Sequence, residues 1–435
     1  PQQAQATPNY PHYRLVDLGT LGGPNGLPVF PAVSLNNRGQ VIAQGGTATP
    51  DPYPVQLQSD GLIWHGILSD ATGVVHDLGA LPGTNQSLAS GISQNGLVTG
   101  FSENGVLDPL TGFPQFRAVL WNQAGTILDL GTLGGNASQG SDVNSRGQVV
   151  GLALNATPED PDIAGFFNFA PAAQQVRAFL WQNGSMSDLG TLGGDDAMAS
   201  VINENGAVSG FSAISTGIND TTGLPSIHPF LWKNGTMTDL GSLGGTLAMT
   251  GSFVNGPWGR VMNERGEVAG TSTLPGDDTW HAFLWSNGRM TDLGTLGGSV
   301  SEALAINNAG QVVGRARVTD APLVRHAFVW EQGTMTDLGT VDSCTRGTAT
   351  SINSKGQIVG GLGFCTDDST DLAFYTAFYV EKGKPMVDLN ALVDTPSDLH
   401  MDEAMFINGR GEILAGALTP TGETRAVLLV PLPGH

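Results

Sequence analysis

HAFLWSNGRMTDLGTLGG, residues His281–Gly298, is followed a few positions later by INNAGQVVG, residues Ile306–Gly314. Read together, these stretches hold four short apolar runs with a turn signal between each pair. The runs are four to six residues long and rich in β-branched and aromatic side chains, which is the pattern of strands. Asn287-Gly288 and the Asn-x-x-Gly of Asn307–Gly310 are hairpin chemistry, because glycine takes the positive φ that tight turns need. No helical period of useful length is visible.

The same composite recurs along the whole chain. D-L-G-T-L-G-G stands at Asp17–Gly23, Asp129–Gly135, Asp188–Gly194 and Asp292–Gly298, with variants beginning at Asp77, Asp239, Asp337 and Asp388. These eight anchors are 60, 52, 59, 51, 53, 45 and 51 residues apart. The asparagine of I-N-x-x-G-Q-V-V-G forms a column at Asn36, Asn144, Asn203, Asn263, Asn307, Asn353 and Asn408, with Ser93 in the second unit. Units are numbered here by that column. H/R-A-F-L-W is clear at Arg177–Trp181, His228–Trp232, His281–Trp285 and His326–Trp330, and degraded at His65–Ser69 and Thr376–Val380.

Four strands in about 50 residues, eight times over, predict an all-β, eight-bladed β-propeller with four antiparallel strands per blade. The run Tyr13–Leu18 reads as a fourth strand without its first three. The last unit supplies Phe406–Asn408, Glu412–Ala415 and Arg425–Val430 and lacks a fourth. The N-terminal strand is therefore expected to join the C-terminal blade and remove the open edge. The expected division is a loose segment at 1–12, one propeller at 13–430 whose closing blade combines about 388–430 with 13–18, and a tail at 431–435.

Composition narrows the function classes. The 435 residues carry 18 Lys+Arg against 39 Asp+Glu, a net charge of −21. Such a balance opposes a nucleic-acid footprint and docking on anionic lipid. No apolar run approaches the length of a membrane helix. The start, Pro1-Gln2-Gln3, has neither methionine nor apolar leader and reads as a mature form with its signal peptide removed, or as a cut made in a longer chain.

Pairing arithmetic makes two further expectations. In H-A-F-L-W…D-L-G the basic residue and the aspartate should face each other across a hairpin; His281 and Asp292 centre between Ser286 and Asn287. Arg177–Asp188, His228–Asp239, His326–Asp337, Arg117–Asp129, His65–Asp77 and, across the closure, Arg425–Asp17 should behave alike. A clip repeated in this way is read as scaffold, worth roughly 0.2–1 kcal/mol per pair. The only cysteines, Cys344 and Cys365, are symmetric about the Asn353–Gly356 turn. A disulfide is expected, closing a loop of about 20 residues for roughly 3 kcal/mol and implying an oxidising compartment.

The composite H-A-F-L-W-x-x-G-x-M-x-D-L-G-T-L-G-G…I-N-x-x-G-Q-V-V-G resembles the HAF family of probable extracellular repeat proteins, over essentially all of Tyr13–Leu429. The resemblance implies export, mostly from bacteria. It implies no activity, and the motif residues look like scaffold. Units one, two, seven and eight depart most from the consensus.

Function is therefore sought off the repeat. By analogy with propellers, the I-N strand should be innermost, and the loops after D-L-G-T-L-G-G and after Q-V-V-G should share one face. Loops of varying length on a rigid scaffold are where binding usually sits. The Asp-to-Asn spacing is 15 at Asp129, Asp188 and Asp292 but 24 from Asp239 to Asn263, an insertion of nine residues around Thr250–Arg260 carrying Phe253, Asn255 and Trp258. Residues just after each Gly-Gly, among them Asn25, Asn85, Gln139, Asp196, Met249, Glu302 and Arg346, with His400 in the eighth unit, should ring the channel mouth. Asn85, Gln139, Trp258, Trp280 and Phe253 are the candidate ligand contacts. Asp195, Asp196 and Glu302, assisted by Arg346 and His400, are the candidate acid/base groups if the protein is an enzyme. Acidic clusters such as Asp195-Asp196 and Asp277-Asp278 could take Ca2+, but no D-x-D-x-D-G loop is present and solvated surface is the favoured reading.

Three function classes remain. The favoured one is a secreted, non-enzymatic binding protein for a glycan, surface polymer or protein. The alternatives are an extracellular glycan hydrolase or lyase, and a structural component of an envelope or matrix.

Overall fold

The computed structural model describes residues 9–29, 33–53, 60–109, 112–158, 174–219, 222–253, 260–321, 323–341, 344–363 and 376–433. Six four-stranded antiparallel sheets follow one another along the chain, with one eight-stranded sheet made of two four-stranded sets. Those two sets are joined by a single parallel bridge between Arg325 and Arg346. The sixth unit is typical: Ser301–Ile306, Val312–Thr319, Val324–Glu331 and Thr334–Asp337, each paired with the next. The only helix among the described residues is a 3-10 turn, Leu389–Leu392, so no helix is long and apolar enough to cross a membrane.

Local sequence explains each step of this meander. The tight turns carry Asn183, Asn234 and Asn287 at φ 52, 52 and 53°, each followed by a positive-φ glycine, the backbone of a type I′ hairpin. This moves the register from the one expected. The hairpin centres on Asn287-Gly288, so Phe283 stands opposite Asp292 and His281 reaches the carboxylate diagonally. The clip still forms, with Nδ1 2.9 Å from Asp292, and likewise at His65–Asp77, Arg177–Asp188, His228–Asp239 and His326–Asp337. Burial pushes the Asp77, Asp239 and Asp292 carboxyls up, and the bonds from the histidine and from the glycine two residues on outweigh it, leaving each below the usual range. Arg117 departs from the pattern and donates to the Asn136 carbonyl at 2.6 Å.

The glycine of Q-V-V-G has a steric cause. A Cβ on Gly314 would lie 2.0 Å from the Glu302 carbonyl oxygen, and the same clash recurs at Gly100, Gly151, Gly210 and Gly360. The inner strand bulges at this level, for example between Ala303 and Ala305, and only glycine tolerates the approach. The alanine and phenylalanine of H-A-F-L-W are fully buried: Ala282, Phe283, Ala327 and Phe328 are all 0% exposed.

Consecutive units are tied by the asparagine column. Each Asn Oδ1 accepts from the backbone N–H groups two and four residues on, as at Asn353 from Lys355 and Gln357. Each Nδ2 donates to the carbonyl of the same column in the next unit. The bonds run Asn144→Asn203→Asn263→Asn307→Asn353→Asn408→Asn36→Ser93, at 2.8–3.2 Å. Asn95 takes over beyond Ser93, donating to the Ser145 carbonyl. The bond from Asn408 to Asn36 joins positions 372 residues apart. Strand Tyr13–Asp17 pairs antiparallel with Thr424–Pro431, from Tyr13 opposite Pro431 to Asp17 opposite Val427. Arg425 Nε stands 3.9 Å from Asp17 Oδ2, and the Leu18 N–H donates to the Ala426 carbonyl.

Candidate functional site

Several chemistry-bearing side chains that depart from the repeat lie on or beside the inner strands of units five to eight. Glu302 and Arg315 face each other across the first hairpin of unit six. Arg315 Nη2 and Nε lie 2.6 and 3.0 Å from Glu302 Oε2, with both side chains more than nine-tenths buried. Ser252 Oγ donates to the same oxygen at 2.5 Å, and Trp280 Nε1 to Oε1 at 3.1 Å. Phe253 meets Trp280 edge to face with centroids 6.2 Å apart. Three of the expected residues, Phe253, Trp280 and Glu302, thus share one cluster bridging two units.

A second pair of carboxylates stands along the arc. Asp402 and Glu403 lie at a bulge in strand His400–Ile407. A Cβ on Gly361 would come within 3.2 Å of Glu403 Cγ, and one on Gly416 within 2.9 Å of Asp402 Oδ1. Glycine at those positions makes the room the acids occupy. Glu403 keeps a partial opening to solvent. Burial pushes its carboxyl up to about 7, the Asp402 charge adds to this, and Arg315 and Arg325 oppose it. Burial likewise raises Asp402. A cavity of about 140 Å³ adjoins them, walled by Leu27, Pro28, Met405 and Arg425.

Of the other expected residues, His400 stands close enough to Asp402 for its charge to oppose the rise of that carboxyl; the rest are held by contacts of their own. Asp196 is buried and accepts from the Val176 N–H at 2.7 Å, while Asp195 offers its carbonyl to Arg177. Both bonds tie the loop to the neighbouring strand Gln174–Gln182. Asn85 is used through its backbone, its carbonyl 2.8 Å from His65 Nε2 and its N–H on Glu103. Gln139 sits within the inner strand Gly134–Val143. Arg346 opens strand Arg346–Ile352, and His400 is exposed at the start of its strand. Asn25 Oδ1 accepts from the Thr424 N–H.

Asn255 and Trp258 lie outside the described residues. The insertion around them interrupts the inner strand itself, between Ala248–Thr250 and the Met262–Val268 bridge, and does not lengthen the loop before it. Cys344 is buried; Cys365 lies outside the described residues. Asp277, offered as a cation ligand, accepts from Thr246 and Thr273 and shapes a turn. Among the described residues, no three His, Cys, Asp or Glu side chains are placed to hold a metal.

Arg315, Ser252, Asp402 and Glu403 were not singled out from the sequence. A signal existed for Arg315. The position after Q-V-V-G reads Gln44, Phe101, Leu152, Phe211, Thr271, Arg315, Gly361 and Gly416, so it holds one charge in eight units.

No family model matches the chain, and no curated protein matches it. Similar solved structures include the acylaminoacyl peptidase of Pyrococcus horikoshii, at 9% identity and TM-score 0.41, covering 90% of this chain and 57% of that one. Dipeptidyl peptidase 4 of Porphyromonas gingivalis is similar at 12% identity and TM-score 0.42, covering 88% and 56%. The sialidase of Trypanosoma rangeli is similar at 9% identity and TM-score 0.36, covering 97% and 60%. The chain spans less than two thirds of the length of each of these three proteins.

Proposed function

We propose that the chain is an exported eight-bladed β-propeller of the HAF-repeat kind, and that it binds a glycan or related surface polymer at the loop end of its inner strands. The asparagine relay that returns to Asn36, and the Tyr13–Asp17 pairing with the last unit, support ring closure. The observation that carries the binding reading is the Phe253–Trp280 pair set beside Arg315 and Glu302. An aromatic surface flanked by a few fixed polar groups suits a polyhydroxylated ring. Glu302 accepts four hydrogen bonds, three of them on Oε2 and two of those from Arg315, so it is held as a fixed ion-paired carboxylate, which favours binding over catalysis through it. Export accords with a Cys344–Cys365 disulfide, supported by the Arg346–Gly363 pair two residues inside both cysteines; a thiol titration of the native protein that counts two free thiols would reject the bond.

Screening on a glycan array, followed by calorimetry, tests the proposal. Trp280→Ala is expected to weaken binding of any hit by tenfold or more while circular dichroism stays unchanged. Equal binding by the variant, or no glycan bound at all, would remove this reading.

Glu403 supports one second reading. A carboxyl raised to about 7 beside Asp402 is what a general acid of glycan hydrolysis requires. Turnover of a polysaccharide that Glu403→Gln abolishes would establish it. Turnover unaffected by that variant, or none at all, would reject it.

A further inference from the structure

The tryptophan of H-A-F-L-W has one job wherever it occurs. Trp121, Trp181, Trp232, Trp285 and Trp330 each fill the groove between their own unit and the preceding one. Each packs with that neighbour's D-L-G leucine: Leu78, Leu130, Leu189, Leu240 and Leu293 in turn. Those five leucines are 5–8% exposed.

The seventh unit breaks the pattern. Its column holds Val380, which clusters with Leu338 of unit six. Leu338 is the one D-L-G leucine of the eight that is not buried. Beside it opens a cavity of about 460 Å³, walled by Val329 and Leu338 on one side and Ile358, Val380 and Met386 on the other. That volume falls within the ~300–1,000 Å³ of small-molecule sites. Two other units lack the tryptophan and close their grooves by other means. Opposite Ser69 and Leu429, the leucines Leu18 and Leu389 are 0% exposed. The rim of the cavity carries two ion pairs, Lys382–Glu331 at 2.6 Å and Lys384–Glu381 at 2.5 Å. It therefore presents both signs of charge and does not demand a charged ligand.

We infer that this cleft between units six and seven binds a small molecule carrying a planar aromatic ring of indole size, seated where five other units place their own tryptophan. The apolar walls are the ones that elsewhere sandwich an indole, and the remaining volume admits substituents towards the charged rim. This site shares no residue with the Trp280 cluster.

The test uses indole and 5-bromoindole on the folded full chain. Ligand-observed NMR and calorimetry are expected to show binding, with the bromine of a crystal soak between Leu338 and Val380. Val380→Trp, which restores the repeat, is expected to weaken indole binding tenfold or more and to hold or raise Tm. Val380→Phe serves if the tryptophan variant does not fold. Trp280→Ala is expected to leave indole binding unchanged, which separates this site from the glycan proposal. No binding by the natural protein, a bromine elsewhere, or equal binding by the filled variant would overturn the inference.

Discussion

Asn353→Ala is expected to lower the stability of the folded chain by about 2–4 kcal/mol, read as a fall in the urea midpoint with little change in m. The side chain is 4% exposed and makes four hydrogen bonds. Two hold its own turn, from the Lys355 and Gln357 N–H groups; one goes to Gln357 Oε1 and one to the Asn408 carbonyl. Each contributes about 0.5–1.5 kcal/mol net, and truncation leaves a buried carbonyl without a donor. Asn353→Asp keeps the two acceptor bonds but turns a carboxylate oxygen towards the Asn408 carbonyl, so it is expected to cost at least as much. Lys355→Ala, on the exposed side of the same turn, should cost less than about 0.5 kcal/mol. If Asn353→Ala were as mild as Lys355→Ala, the relay would not be holding the units together.

Arg315→Ala is expected to be more damaging, at about 3–5 kcal/mol, because it leaves the buried Glu302 carboxylate without its counter-charge. Glu302→Gln combined with Arg315→Met should recover much of that loss, since the amide oxygen can still accept from Trp280 and no buried charge remains. The double-mutant cycle isolates the coupling. A coupling near zero would mean that the 2.6 Å contact contributes little, and the site would lose its rigid floor.

The fold was legible because it is repeated. Four strand signals per unit, the Asn-Gly turns and the complementary ends all led to four-stranded meanders, which the sheets match. The one-step register error arose from treating His281 and Asp292 as directly opposed. The I′ geometry of Asn287-Gly288 fixes the register, and a long side chain reaches the diagonal neighbour readily. The asparagine column was read only as turn chemistry. Its Oδ1 does serve the turn, but its Nδ2 is aimed at the next unit, and sequence spacing within one unit cannot reveal a contact some 45 to 60 residues away.

The site was half legible. Phe253, Trp280 and Glu302 stood out as residues the repeat does not need, and the structure brings them together. Asp195 and Asp196 stood out equally, yet the Asp196 carboxylate is taken by the Val176 N–H and Asp195 is bonded through its backbone carbonyl. Glu403 and Asp402 were missed because their meaning depends on Gly361 and Gly416 respectively, two glycines on other strands that only packing relates to them. The unfilled groove at Val380 was visible as a broken column, but a missing tryptophan becomes a cavity only if nothing else moves in, as happens beside Leu18 and Leu389.

Native-state hydrogen exchange on the peptide spanning Tyr13–Asp17 tests the joining of head and tail most directly. If this strand is the last rung of the eighth unit, the amides it turns towards Thr424–Pro431, those of Arg14 and Val16 in alternation with the Leu18 bond to the Ala426 carbonyl, should be protected as that strand is and should exchange only with global unfolding. Complete exchange of Tyr13–Asp17 at the earliest time point, with Thr424–Pro431 still protected, would contradict the closed ring.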